Sequence, residues 1–240
     1  MKKITFLATV LVTMLLASAA SAITINYQTA AGATESGGNA VNASATFTTS
    51  ANTLTISLAN LLVNPTTVAQ NISDLYFTLG STATSGSISS SGGNLITVLG
   101  DGTTTSSGVA SSTGWILSYA AATGFHLDAL NGAVNTPAYT ILGAPGAGGI
   151  YSNAGGSIAG NGPHNPFLNQ SATFTLFIAG ITADTTVTSA TFSFGTTSGD
   201  NVPGIPHTNV PDNGSTVMLL GASLVGIGLF RRTLLKRFAV

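Results

Sequence analysis

Ser171-Ala172-Thr173-Phe174-Thr175-Leu176-Phe177-Ile178 decides the fold. Ala172, Phe174, Leu176 and Ile178 form one apolar face, with Thr173 and Thr175 opposite. Period-two alternation is the signature of a strand with one buried side. Working outward, the same pattern returns in Ile23, Ile25 and Tyr27, in Leu54, Ile56 and Leu58, in Leu75, Phe77 and Leu79, and in Ala190, Phe192 and Phe194. The intervening positions are mostly Thr and Ser, which suit the exposed side of a strand. Shorter candidates surround Phe47, residues 96–99, Trp115 to Tyr119, and Tyr139 to Leu142.

These runs predict an all-β body, an antiparallel β-sandwich or jelly roll. A short helical turn is expected within 120–130. The Ser/Thr/Gly-rich stretches 81–93 and 100–114, and the Gly-rich stretch 143–163, read as surface loops. The segment around Pro203 and Pro206 reads as a linker over 201–209. Ser-Ala-Thr-Phe recurs at Ser44, Ser171 and Ser189 without a fixed period, so it reflects strand chemistry and not a solenoid.

Charge is scarce and unevenly placed. Charged residues make up 5% of the chain, against about 25% in an average soluble domain. Every basic residue lies at an end: Lys2, Lys3, Arg231, Arg232, Lys236 and Arg237. From Ile23 to Asn209 the charged residues are Glu35, Asp74, Asp101, Asp128, Asp184 and Asp200. A body without a cation cannot neutralise phosphates, which excludes nucleic-acid binding, and it has no electrostatic purchase on anionic lipid. Cysteine is absent, which removes disulfides and thiol chemistry.

The N-terminus combines Lys2-Lys3, a short apolar run from Ile4 to Leu16, and small residues ending in Ala20-Ser21-Ala22. That is the layout of a secretory signal peptide over 1–22, with an A-x-A cleavage site at Ala20 and Ala22. The mature chain would begin at Ile23 and form a β domain over 23–200.

The C-terminal segment, 210–240, has three parts. Val210-Pro211-Asp212-Asn213-Gly214-Ser215-Thr216 precedes an apolar run, Val217 to Phe230, and Arg231-Arg232 follow directly. Gly221, Gly226 and Gly228 disfavour a soluble amphipathic helix but suit a membrane helix. The apolar run is short, and Ser215, Thr216 and a snorkelling Arg231 would extend it. The basic cluster would stay cytoplasmic and leave Val210-Pro211 outside. This tail resembles the PEP-CTERM class of sorting signals in its Val-Pro-Asp variant, with Asn213 where Ser or Gly is usual. The resemblance implies processing by an exosortase, transient membrane anchoring of a precursor, a Gram-negative host, and delivery to the cell surface or an extracellular polysaccharide matrix. The body, through Gly149 to Asn153 and Asn161 to Phe167, also resembles β-rich proteins found ahead of such tails.

Candidate chemistry is sparse. His126 and Asp128 share one face if they lie on a strand. A metal or acid–base pair there is weighed against a structural pair, and the structural pair is preferred. His164 can order a loop. Ser157 lacks the strand–turn–helix setting and the second Gly of a nucleophile elbow. The glycines at 146, 148 and 149 have no following Lys for a phosphate loop. Asp101 and Asp200 lack the close-set oxygen ligands of a Ca²⁺ site. Asn42, Asn71, Asn169 and Asn213 begin Asn-X-Ser/Thr triplets. The expectation is therefore no catalytic residue, no metal and no cofactor, in a non-catalytic exported protein with a structural or adhesive role. Its partners would be the secretion machinery, an exosortase and extracellular polysaccharide. A secreted carbohydrate-binding module would need an aromatic platform from Trp115, Tyr119, Tyr139 and Tyr151. A secreted hydrolase would need His126, Asp128 and a Ser in one cleft.

Overall fold

The structure, a computed structural model, describes residues 22–130, 138–162, 164–197 and 199–207. The expected signal peptide, save Ala22, and the expected C-terminal helix lie outside the described residues. The body is all-β. Its strands are β1 (Thr24–Thr29), β2 (Ala43–Ser50), β3 (Thr53–Asn60), β4 (Ile72–Leu79), β5 (Ser87–Val98), β6 (Thr104–Ala110) and β7 (Ile116–Ala120). They continue with β8 (Gly124–Asp128), β9 (Ile141–Leu142), β10 (Phe167–Asn169), β11 (Ser171–Phe177), β12 (Val187–Phe194) and β13 (Asn201–His207). Among the described residues helix is confined to two 3₁₀ turns, Val68–Gln70 and Ala147–Gly149.

All strands join one 13-stranded network in the order β12-β13-β1-β2-β3-β11-β5-β10-β9-β4-β8-β7, with β6 on β5. Because β12 also pairs with β4, the order closes on itself. Pairing between these strands is antiparallel except between β9 and β10, so the sheet is mixed where a wholly antiparallel one is expected.

The alternating residues line the interior as their period requires. Ile56 of β3 stands between Phe47 of β2 and Phe174 of β11, and all three are fully buried. Phe47 and Phe77 lie far apart along the strand order, yet their ring centroids are 5.5 Å apart. Trp115 reaches Phe174 at 5.0 Å, and the Tyr27 hydroxyl on β1 donates to the Val187 carbonyl on β12 at 3.0 Å. Side chains thus fill the interior of the ring. Burying each such aromatic or aliphatic side chain contributes about 1.5–3 kcal/mol.

Three segments differ from their sequence reading. The segment 201–207, expected to be linker, is the strand β13. It pairs with β12 over Asn201 to Pro203 and with β1 over Gly204 to His207. Each proline therefore sits where one strand edge carries no partner, which is where a missing N–H is tolerated. The expected helical turn in 120–130 is instead the turn and second strand of a hairpin, with Gly124 at φ +80°. The stretches 81–93 and 100–114, expected as loops, supply the first half of β5 and all of β6.

The Gly-rich stretch after β9 is irregular, as expected, but it is packed. Tyr151, Ala154 and Ile158 bury against Ile96 and Val98 of β5, Leu142 and Phe167 in a second core. Tyr151 is 1% exposed, and its hydroxyl donates to the Gly143 carbonyl at 2.8 Å. Burial pushes its phenol well above the ordinary tyrosine value.

Candidate functional site

β4 and β8 place three ionisable side chains together. Register sets Asp74 opposite Asp128 and Tyr76 opposite His126. Leu75, Phe77, Phe125 and Leu127 point into the core, so alternation puts Asp74, Tyr76, His126 and Asp128 on the other face. One ligand-type atom from each of Asp74, His126 and Asp128 lies within 4.8 Å of the others.

Although they face away from the core, both carboxylates are buried: Asp74 is 1% exposed and Asp128 3%. The imidazole lies between them. His126 Nε2 is 3.7 Å from Asp74 Oδ1, and Nδ1 is 3.8 Å from Asp128 Oδ2. Both distances exceed a hydrogen bond, and the buried Nε2 has no hydrogen-bond partner. Tyr76 stacks on the imidazole at 3.8 Å between centroids with planes 9° apart, which fixes the ring.

The other carboxylate oxygens are tied to the chain. Ser73 Oγ donates to Asp74 Oδ2 at 3.3 Å, and the Leu130 amide donates to Asp128 Oδ1 at 2.6 Å. The Ala129 amide adds a 3.3 Å contact to Asp74 Oδ1. Burial pushes the Asp74 carboxyl up; the His126 imidazole works against this and the Asp128 carboxylate adds to it. Burial chiefly, and then Asp74 and Asp128, raise the Tyr76 phenol. His126 and Asp128 are thus on one strand face as the sequence indicates, and Asp74 is the member that sequence reasoning missed. Its only signal was an acid at the polar position of an alternating strand.

The remaining candidates have structural partners. Asp101 accepts from the Thr103 hydroxyl and amide at 2.7 and 3.0 Å, and these bonds lower its carboxyl. Asp200 accepts from the Ser36 amide and hydroxyl at 2.8 and 3.0 Å. Ser157 accepts from the Val68 amide and meets Thr67 Oγ1 at 3.2 and 3.3 Å; no His or carboxylate is among its hydrogen-bond partners in the described residues. His164 Nδ1 lies 3.0 Å from the Ala138 carbonyl and so orders its loop. Of the aromatics a sugar platform would need, Trp115 and Tyr151 are buried and Tyr139 packs on the core. Tyr119, 37% exposed, is the exception. Asn71 is fully buried and its amide donates to Thr140 Oγ1 at 3.2 Å, so that triplet is closed to glycosylation in the folded body.

At the N-terminal processing point, Ala22 is exposed, while Ile23 already exchanges backbone bonds with Ala183 and Thr49. Ala20, Val210 to Thr216, Arg231 and Arg232 lie outside the described residues. Among the described residues no helix is long and apolar enough to cross a membrane, and the expected span 217–230 is not among them.

Comparison with known families places a sorting signal at the C-terminal end of this chain, which marks an exported, surface-directed protein. The signal is the VPDSG-CTERM motif, matched over residues 209–234, a PEP-CTERM-like tail that implies exosortase-dependent processing. No curated protein and no solved structure matches the chain.

Proposed function

We propose that this is a non-catalytic component of the cell surface or extracellular polysaccharide matrix of a Gram-negative bacterium, held briefly in the membrane by its tail before an exosortase processes it. The observation that carries the reading is the VPDSG-CTERM motif at 209–234 behind a β body with no Lys or Arg from Ile23 onward to the tail. Such a body does not cling to anionic lipid or nucleic acid once its tail is gone. Its outward strand positions, such as Thr173 and Thr175, present hydroxyls suited to hydrated polysaccharide. The fold reading that accompanies this role is a closed sheet flattened into a sandwich, supported by the Phe47–Phe77 contact across the interior.

Intact mass and terminal sequencing of the protein recovered from its native cells test the sorting. The expected result is an N-terminus at Ile23 and a C-terminus that has lost Arg231 and everything after it. Mature protein that retains Val240 overturns exosortase processing. Retention of the processed body on isolated matrix polysaccharide tests the adhesive role, and free elution in low salt counts against it.

A further inference from the structure

We propose that Asp74, His126 and Asp128 form a binding site for one divalent transition-metal ion of the zinc type, which staples β4 to β8. Three observations carry this. The first is the ligand set: one imidazole nitrogen and two carboxylate oxygens, all within 4.8 Å of one another. Zn²⁺ takes this mixture of nitrogen and oxygen donors, whereas Ca²⁺ prefers oxygen alone.

The second is charge. Asp74 and Asp128 are 1% and 3% exposed, and the chain has no Lys or Arg between Lys3 and Arg231. Buried carboxylates stay ionised only beside a compensating charge, and the body supplies no permanent cation. A divalent ion neutralises both carboxylates at once and leaves the imidazole neutral, its ligating form.

The third is the geometry around the orphaned nitrogen. His126 Nε2 is buried without a hydrogen-bond partner, with Asp74 Oδ1 3.7 Å away. That spacing is too long for a hydrogen bond but leaves room for an ion between two donors at about 2.0–2.2 Å from each. Asp128 Oδ2, 3.8 Å from the other imidazole nitrogen, supplies the third ligand-type atom, within 4.8 Å of the other two. The support expected around metal ligands is present: Ser73 and Leu130 hold the outer carboxylate oxygens and Tyr76 clamps the imidazole. Solvent at the edge of His126, whose side chain is 14% exposed, gives an ion a way in and supplies the remaining ligand.

The test uses the untagged full-length chain, purified in mild detergent, stripped with EDTA and dialysed against ZnCl₂, CaCl₂ or CoCl₂. The expected result is one zinc per chain by elemental analysis, a raised melting temperature with zinc but not calcium, and visible cobalt bands of a low-symmetry nitrogen–oxygen site. His126→Gln and Asp74→Asn should each weaken zinc by more than the roughly 10–100-fold typical of losing a mere supporting residue. Zinc uptake no different in His126→Gln, calcium preferred over zinc, or no uptake by the unsubstituted chain each overturns the proposal. The unsubstituted chain decides the matter even if a variant fails to fold.

Discussion

Asn60 shows how much one side chain can hold in a body with few charges. It is 2% exposed. Its amide nitrogen donates to the Gln70 carbonyl at 2.9 Å and the Ile141 carbonyl at 3.1 Å, and its oxygen accepts from the Leu62 amide at 3.1 Å. The residue thereby ties the end of β3 to the 3₁₀ turn and to β9. Asn60→Ala leaves buried backbone groups unpaired, each costing about 1–3 kcal/mol. Chemical denaturation should show a loss of about 3 kcal/mol or more. Glu35 makes a pH-dependent counterpart. Burial pushes its carboxyl up, but amide hydrogens of Gly37 and Asn39, the Asn39 side chain and contact with Asp200 together outweigh this and hold it below the ordinary value. A depressed carboxylate stabilises the fold above its unfolded pKa, about 4.3, and that stability is lost as pH falls through the lower folded pKa. Melting temperature should therefore fall in acid below the ordinary glutamate range, and Glu35→Gln should be less stable at neutral pH with a flatter acid limb.

At the scale of elements, period-two alternation was enough wherever one face was apolar throughout. β11 illustrates this: Ala172, Phe174 and Leu176 are buried, as their spacing requires. Phe174→Ala would open a cavity between Ile56 and Trp115, and a loss of about 3–5 kcal/mol is expected in equilibrium unfolding. Elements whose reason to exist is non-local were not legible. β6 is Ser, Thr and Gly from Thr104 to Gly108 and is exposed up to Val109; it is a strand because β5 presents an edge to it, not because its own residues demand it. β13 hides behind two prolines that local rules assign to a linker. The Ala run before Gly124 suggests a helical turn only until β4 is seen pairing with Phe125 to Asp128. The same pairing explains the partial legibility of the candidate site. His126 and Asp128 are neighbours in sequence, but Asp74 joins them through a register that no local pattern encodes.

For the whole molecule, closure brings the ends of the body together. Asn26 of β1 pairs with His207 of β13, so the body starts and finishes on neighbouring strands. A circular permutant joining these ends through a short Gly/Ser linker, with new termini in the exposed turn at Ala121, should fold to the same circular-dichroism spectrum with modestly reduced stability. Loss of cooperative unfolding would show that the existing chain ends are needed for closure. The segregation of positive charge into the two ends has a further consequence, for detection. Trypsin cuts after Lys and Arg, and between Lys3 and Arg231 it finds no such residue. The body therefore leaves a digest as a single very large peptide, folded or not, and lysine-directed labels find no side-chain amine in it. Surveys that rely on tryptic peptides will under-count this protein, and a protease specific for aromatic or acidic residues is needed to see it.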